Sequence, residues 1–122
     1  MDKDNLKKGY TMNLNIKNRL ILVSQFLPKE GNLLTMTVVK DIKDKVELSQ
    51  AEMAEYGLKI VKDGGLSWNE KGNSSSKEII FTTAELSILK EKVDELDKNA
   101  KLTLDVLPLC DLIKENERKQ NG

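Results

Sequence analysis

The chain has 122 residues, 20 basic and 20 acidic side chains for a formal net charge of zero, and 39% hydrophobic residues. That suits one globular domain with a core of its own. The neutral balance argues against a strong phosphate-backbone binder, and no apolar run approaches the roughly 18 residues of a membrane span.

The sequence contains no His and a single Cys, Cys110. Without His there is no Ser–His–Asp or Cys–His site, and the commonest transition-metal ligand is missing. A lone Cys forms no internal disulfide, which fits a reducing compartment, the cytoplasm. We therefore expect no enzyme, no cofactor and no metal site. Arg is scarce, with only Arg19 and Arg118. Arg is the usual bidentate reader of guanine and phosphate, so sequence-specific DNA reading is disfavoured.

Residues 1–11, "MDKDNLKKGYT", read as a disordered arm without apolar periodicity or a secretion signal's apolar region. Lys7-Lys8-Gly9 can be encoded by an A/G-rich tract resembling a ribosome-binding site, so Met12 is the expected natural start. An intact mass of the natural product that includes Met1 overturns this.

Residues 12–114 read as a single domain. Ile16, Leu20, Val23 and Leu27 share one helical stripe, and Pro28 ends that helix before the turn "PKEGN". A second helix is expected from about Thr35 to Val46, with Met36, Val39, Ile42 and Val46 inward and Lys40, Asp41, Lys43, Asp44 and Lys45 supplying the wet face. "SQAE", from Ser49 to Glu52, is a capping box for a short third helix to Tyr56, with Gly57 where a left-handed C-terminal residue is wanted.

"LKIVKDGGLSW" then predicts a hairpin, with Asp63-Gly64-Gly65 supplying its positive φ angles and Leu58, Ile60, Leu66 and Trp68 facing inward. "NEKGNSSSK" reads as a mobile loop and "KEIIFT" as a strand. "TTAE" opens the longest helix, from about Ala84 to Lys98, with Leu86, Leu89, Val93 and Leu96 on its core side. Its carboxylates Glu85, Glu91, Asp94, Glu95 and Asp97 read as a solvated face. Thr103 or Pro108 starts a last helix, Cys110 reads as buried and inert, and residues 115–122 as a frayed tail.

The fold class expected is α+β: a predominantly helical single domain with a β-hairpin and a winged-helix-like order of elements. The helix in the recognition position, "QAEMAEY", carries two Glu and no Lys or Arg, so the order alone does not make a DNA reader. "KDGG" lacks the Lys-Ser/Thr and following helix of a P-loop. Trp68-Asn69 reads either as a stacking platform beside a polar reader or as a staple holding the hairpin to the core.

The stretch "LILVSQFLPKEGNLLTMTVVKDIKDKVELSQAEMAEYGLKI", then "LSW", then "AELSILKEKVDELDKNAKLT" resembles short phage and prophage proteins of unassigned function. The likeness covers Leu14 to Ile113, with the "LP..GN" turn and the final "KLT" as its most distinctive pieces. It implies a small accessory protein of the bacterial cytoplasm and carries over no catalytic residue.

The function expected is a non-catalytic interaction protein acting on a macromolecular partner, a protein first, in a phage accessory or counter-defence role. Tyr56, Lys62, Asp63, Trp68 and Asn69 are the candidate contact residues, with Trp68→Ala expected to weaken capture and spare the fold. The alternatives are a homo-oligomer that binds a small nucleotide signal, and a winged-helix-like DNA-binding regulator. Nucleotides would raise thermal stability in the first, and retention on DNA would fall steeply with salt in the second.

Overall fold

The computed structural model describes residues 9–121, and side-chain surroundings through Asn116. It is one compact domain of helices with two small antiparallel sheets, 56% helical, as the α+β reading requires. Among the described residues, no helix is long and apolar enough to cross a membrane.

The chain enters as strand β1 (Tyr10–Leu14). Met12 and Leu14 point into the core while Thr11 and Asn13 face out, the period-2 alternation of a half-buried strand. β1 pairs antiparallel with β4 (Lys77–Phe81), Tyr10 opposite Phe81 and Leu14 opposite Lys77. Tyr10 and Thr11 therefore belong to the sheet, not to a disordered arm. A Cβ at Gly9 would come within 2.5 Å of the Phe81 carbonyl oxygen, so the close approach continues there. The rest of the proposed arm, residues 1–8, lies outside the described residues.

Asn15 caps helix α1 (Ile16–Ile21) by accepting from the Asn18 backbone N–H at 2.7 Å, and the helix continues as a π-helical turn, Leu22–Phe26. Ile16, Arg19, Leu22 and Phe26 are buried. The expected partners of Ile16, Leu20, Val23 and Leu27, are only half-buried. The inward face runs through Ile16, Arg19, Leu22 and Phe26, one position out of step with the expected stripe, so Phe26 rather than Leu27 turns inward.

Helix α2 (Leu33–Val46) starts two residues earlier than the periodicity suggests, because Asn32 caps it through the Thr35 N–H at 2.8 Å. Val39, Ile42 and Val46 are buried as expected. Lys45 is not on the wet face: its Nζ donates to the Ile80 carbonyl at 2.8 Å and to Glu85 at 2.6 Å. Helix α3 (Gln50–Glu55) carries the expected capping box.

The hairpin follows as β2 (Lys59–Ile60) and β3 (Leu66–Ser67), a separate two-stranded sheet. Helix α4 (Glu70–Asn73) occupies the stretch read as a mobile loop, capped by Asn69. A second capping box opens α5 (Thr83–Lys98), and α6 (Leu107–Asn121) carries Pro108 in its first turn. Most of the expected frayed tail is thus helical, and Asn116 within it is buried.

α3 and α5 end alike. Gly57 and Ala100 sit just past the last turns at φ 61 and φ 57, and Leu58 and Lys101 donate back to the Met53 and Leu96 carbonyls at 3.0 and 2.8 Å. This is the Schellman closure. Glycine serves it in the first case and alanine in the second.

Leu14, Leu22, Phe26, Ile42, Phe81, Leu86, Leu89, Leu109 and Ile113 meet in one cluster between the β1–β4 sheet and the long helices. Phe26 and Phe81, the only two Phe in the chain, are 1% and 0% exposed. The core therefore uses both phenylalanines and leaves Trp68 outside its centre.

Candidate functional site

The hairpin turn differs from the expected tight turn. The Gly64 N–H donates to the Val61 carbonyl at 3.0 Å, and the Val61 N–H donates to the Gly65 carbonyl at 2.9 Å. That is the pattern of a type I turn closed by a G1 bulge, with only Gly64 at positive φ (88°). Asp63 and Gly65 do not need the left-handed region.

Two of the four side chains expected inward face solvent. Ile60 is 79% exposed and Leu66 42%, while Leu58 and Trp68 are half-buried; Val61, beside Ile60, is 39% exposed. Two-residue strands have no second layer to cover both faces, so the ribbon keeps its apolar residues wet. The chain alternation alone does not disclose this, because it fixes which residues share a face but not whether anything packs on it.

Of the five candidate contact residues, three come together. The Asn69 backbone N–H donates to the Tyr56 carbonyl at 2.8 Å and its side-chain N–H to the Glu55 carbonyl at 3.1 Å. Asn69 Oδ1 accepts from the Gly72 N–H at 2.8 Å, capping α4. A Cβ on Gly72 would stand 2.9 Å from Trp68 Cδ1 and 3.1 Å from Tyr56 Cβ, so this glycine lets Tyr56 and Trp68 close over it. Asn69 is thus a structural clamp between α3 and α4, and Lys62 and Asp63 stand apart, exposed on the turn.

Trp68 has one side on the fold and one on solvent. Its indole N–H donates to Asn73 Oδ1 at 2.8 Å. Its open side borders a cleft of about 190 Å³ lined by Asn15, Ile16, Lys17, Gly72 and Asn73. Asn15 and Lys17 were not legible as neighbours of Trp68, since more than fifty positions separate them and no local pattern links them.

The acidic residues of α3 are committed to the fold. Arg19, 2% exposed, donates to the Val46 and Glu47 carbonyls at 2.8 and 3.2 Å and holds Glu52 with both terminal nitrogens. The Arg19 hydrogen bonds hold the Glu52 carboxyl down at about 2, against an ordinary 4.5, over an opposing push from burial. Glu55 pairs with Lys71 at 2.7 Å. On α5, Glu85 is buried rather than solvated, and serves both the capping box and Lys45. Burial, then Asp111 and Asp97, push the Cys110 thiol up from its ordinary value, as suits a buried, unreactive side chain. Among the described residues, no three carboxylates or thiols gather as a metal-binding group.

No protein-family model, curated protein or solved structure matches the chain.

Proposed function

We propose that this is a non-catalytic binding protein that works by covering its β2–β3 hairpin against a protein partner. The observation that carries this reading is the solvent-facing apolar pair of Ile60 and Leu66 on a ribbon of two-residue strands, with exposed Val61 beside them at the turn. So short a ribbon is marginal by itself, and its side chains are stabilised only when another surface removes them from water. Tyr56 and Trp68 flank its base and extend the contact area; Lys62 and Asp63 supply polar contacts at the tip.

Nucleic acid is the poorer partner. Among the described side chains the only guanidinium is that of Arg19, which is buried against Glu52. The resemblance to short phage proteins supports an accessory or counter-defence role in a bacterial cytoplasm.

The test compares the wild-type chain with an Ile60→Ser/Leu66→Ser variant as bait in bacterial lysate, with mass spectrometry of what each retains. A protein held by the first and lost by the second, at unchanged thermal stability, is the expected result. Identical retained sets overturn the reading, and retention of DNA that falls steeply with salt would favour a nucleic-acid binder instead.

A further inference from the structure

In the cleft beside Trp68 the side-chain amide oxygens are each engaged by the fold, while side-chain donors remain. Asn15 Oδ1 is taken by the Asn18 backbone N–H at 2.7 Å, and Asn73 Oδ1 by the indole N–H of Trp68 at 2.8 Å. A backbone N–H and an indole N–H can only donate, so both amides must present oxygen to them, which leaves their NH2 groups available to a ligand. Neither NH2 group donates to a described residue. Lys17 adds an ammonium to the same lining, and the remaining wall is Ile16, Gly72 and the indole ring. The combination is two neutral donors and one cation beside an apolar floor.

One acidic group stands nearby. Asp105 accepts from Lys17 Nζ at 2.8 Å, with the two side chains 75% and 52% exposed. A pair this exposed contributes little, so a second carboxylate can take the lysine at small cost.

We infer that this cleft binds a carboxylate flanked by an apolar side chain, such as a chain-terminal carboxylate preceded by Leu or Ile. The carboxylate would take N–H bonds from Asn15, Asn73 and Lys17, and the apolar side chain would lie against Trp68 and Ile16. A free small acid and a polypeptide end share this chemistry. Under the proposed function above, the polypeptide source is the partner, and this inference rests on that reading for its biological occupant only.

Trp68 is the only Trp in the chain, so its fluorescence reports this cleft alone. The probes are N-acetyl-leucine, N-acetyl-leucinamide, and a pentapeptide ending in Leu as free acid or amide. The free acids are expected to shift the emission saturably, the small one with a dissociation constant of about 1 mM for its size. A peptide acid tighter than the small acid points to a polypeptide source, and equal affinity to a free acid.

Two variants give opposite signs. Asn73→Asp keeps an oxygen for the indole N–H but replaces a donor with a negative charge, so binding should be lost with the fold intact. Asp105→Asn frees Lys17 and should tighten binding by about threefold, the scale of an exposed ion pair. Equal titrations by acid and amide, or Asp105→Asn failing to tighten binding, overturn the inference. Failure here leaves the hairpin pull-down untouched, and failure of the pull-down leaves these titrations untouched.

Discussion

Arg19 joins Glu52 by paired hydrogen bonds of 3.0 and 2.9 Å, and the same carboxylate closes the capping box of α3 through the Ser49 N–H at 2.9 Å. One side chain on α1 thereby fixes both the end of α2, through the Val46 and Glu47 carbonyls, and the start of α3. Arg19→Met should remove the four Arg19 bonds and leave the Glu52 carboxylate without its cation. Breaking a largely buried pair from one side costs about 3 kcal/mol. Urea unfolding of the variant against wild type measures it, with an unchanged dependence on urea as the control for a shift in stability alone.

The same pair sets an acid response. Glu52 is held near 2 in the folded chain against an ordinary 4.5. A lowered folded value means that its stabilising contribution is complete above about pH 4.5 and is lost as pH falls toward 2. The unfolded chain takes up the proton first, which pulls the equilibrium its way. Stability measured from pH 6 to pH 2.5 should therefore fall for wild type. Glu52→Gln should start lower at pH 6 and lose less across the same window. Parallel curves would show that other carboxylates carry the acid response.

At Gly72 the crowding decides the outcome. A methyl group there meets Ile16 Cδ1 and Trp68 Cδ1 at 2.9 Å each. The isoleucine tip can turn away, but the indole is held by Asn73 and must move as a ring. Gly72→Ala should cost about 1 to 2 kcal/mol and shift the emission of Trp68. A thermal melt and an emission spectrum of the same sample check both.

Much of the fold was legible because its signals are local. Both capping boxes, Ser49–Glu52 and Thr82–Glu85, need only four consecutive residues, and both form as read. The strand over Lys77–Phe81 and the turn at Gly64 were equally local. What was missed depends on distant partners. β1 looks polar along the chain and becomes a strand only because β4, more than sixty residues later, supplies its hydrogen bonds. Lys45 and Glu85 looked like wet-face charges on separate helices until folding paired them. The hairpin was legible and its exposure was not, since alternation names a face without saying what covers it.

The role of the first strand can be tested directly. A chain beginning at Met12 would lack Tyr10 and Thr11, the residues opposite Phe81 and Ile80, and the close approach at Gly9. Half-buried Tyr10 packs against the core, so both pairing and burial are lost. The shortened chain should melt lower by the equivalent of about 2 kcal/mol. Equal melting temperatures would show that the pairing beyond Met12 contributes nothing.

Ala100 gives a prediction of the opposite sign. It holds φ 57 at the end of α5, in the closure that Gly57 serves for α3 at φ 61. The two sites share their hydrogen bonds: residues Ala100 and Gly57 donate to Asp97 and Ala54, and the residues after them to Leu96 and Met53. The left-handed region brings a Cβ against the following carbonyl, at roughly 1 to 2 kcal/mol for a residue other than glycine. Glycine removes that strain but gives the unfolded chain more freedom, which returns about 0.4 to 1 kcal/mol. Ala100 is exposed, so its methyl group supplies no burial to set against the change. Ala100→Gly should therefore stabilise the chain by about 0.5 to 1 kcal/mol. The reverse exchange, Gly57→Ala, should destabilise by a similar amount or more, since a Cβ there also stands 3.3 Å from Asn69 Nδ2. Paired melts of the two variants check the sign at both sites, and a loss of stability in Ala100→Gly would refute the strain account.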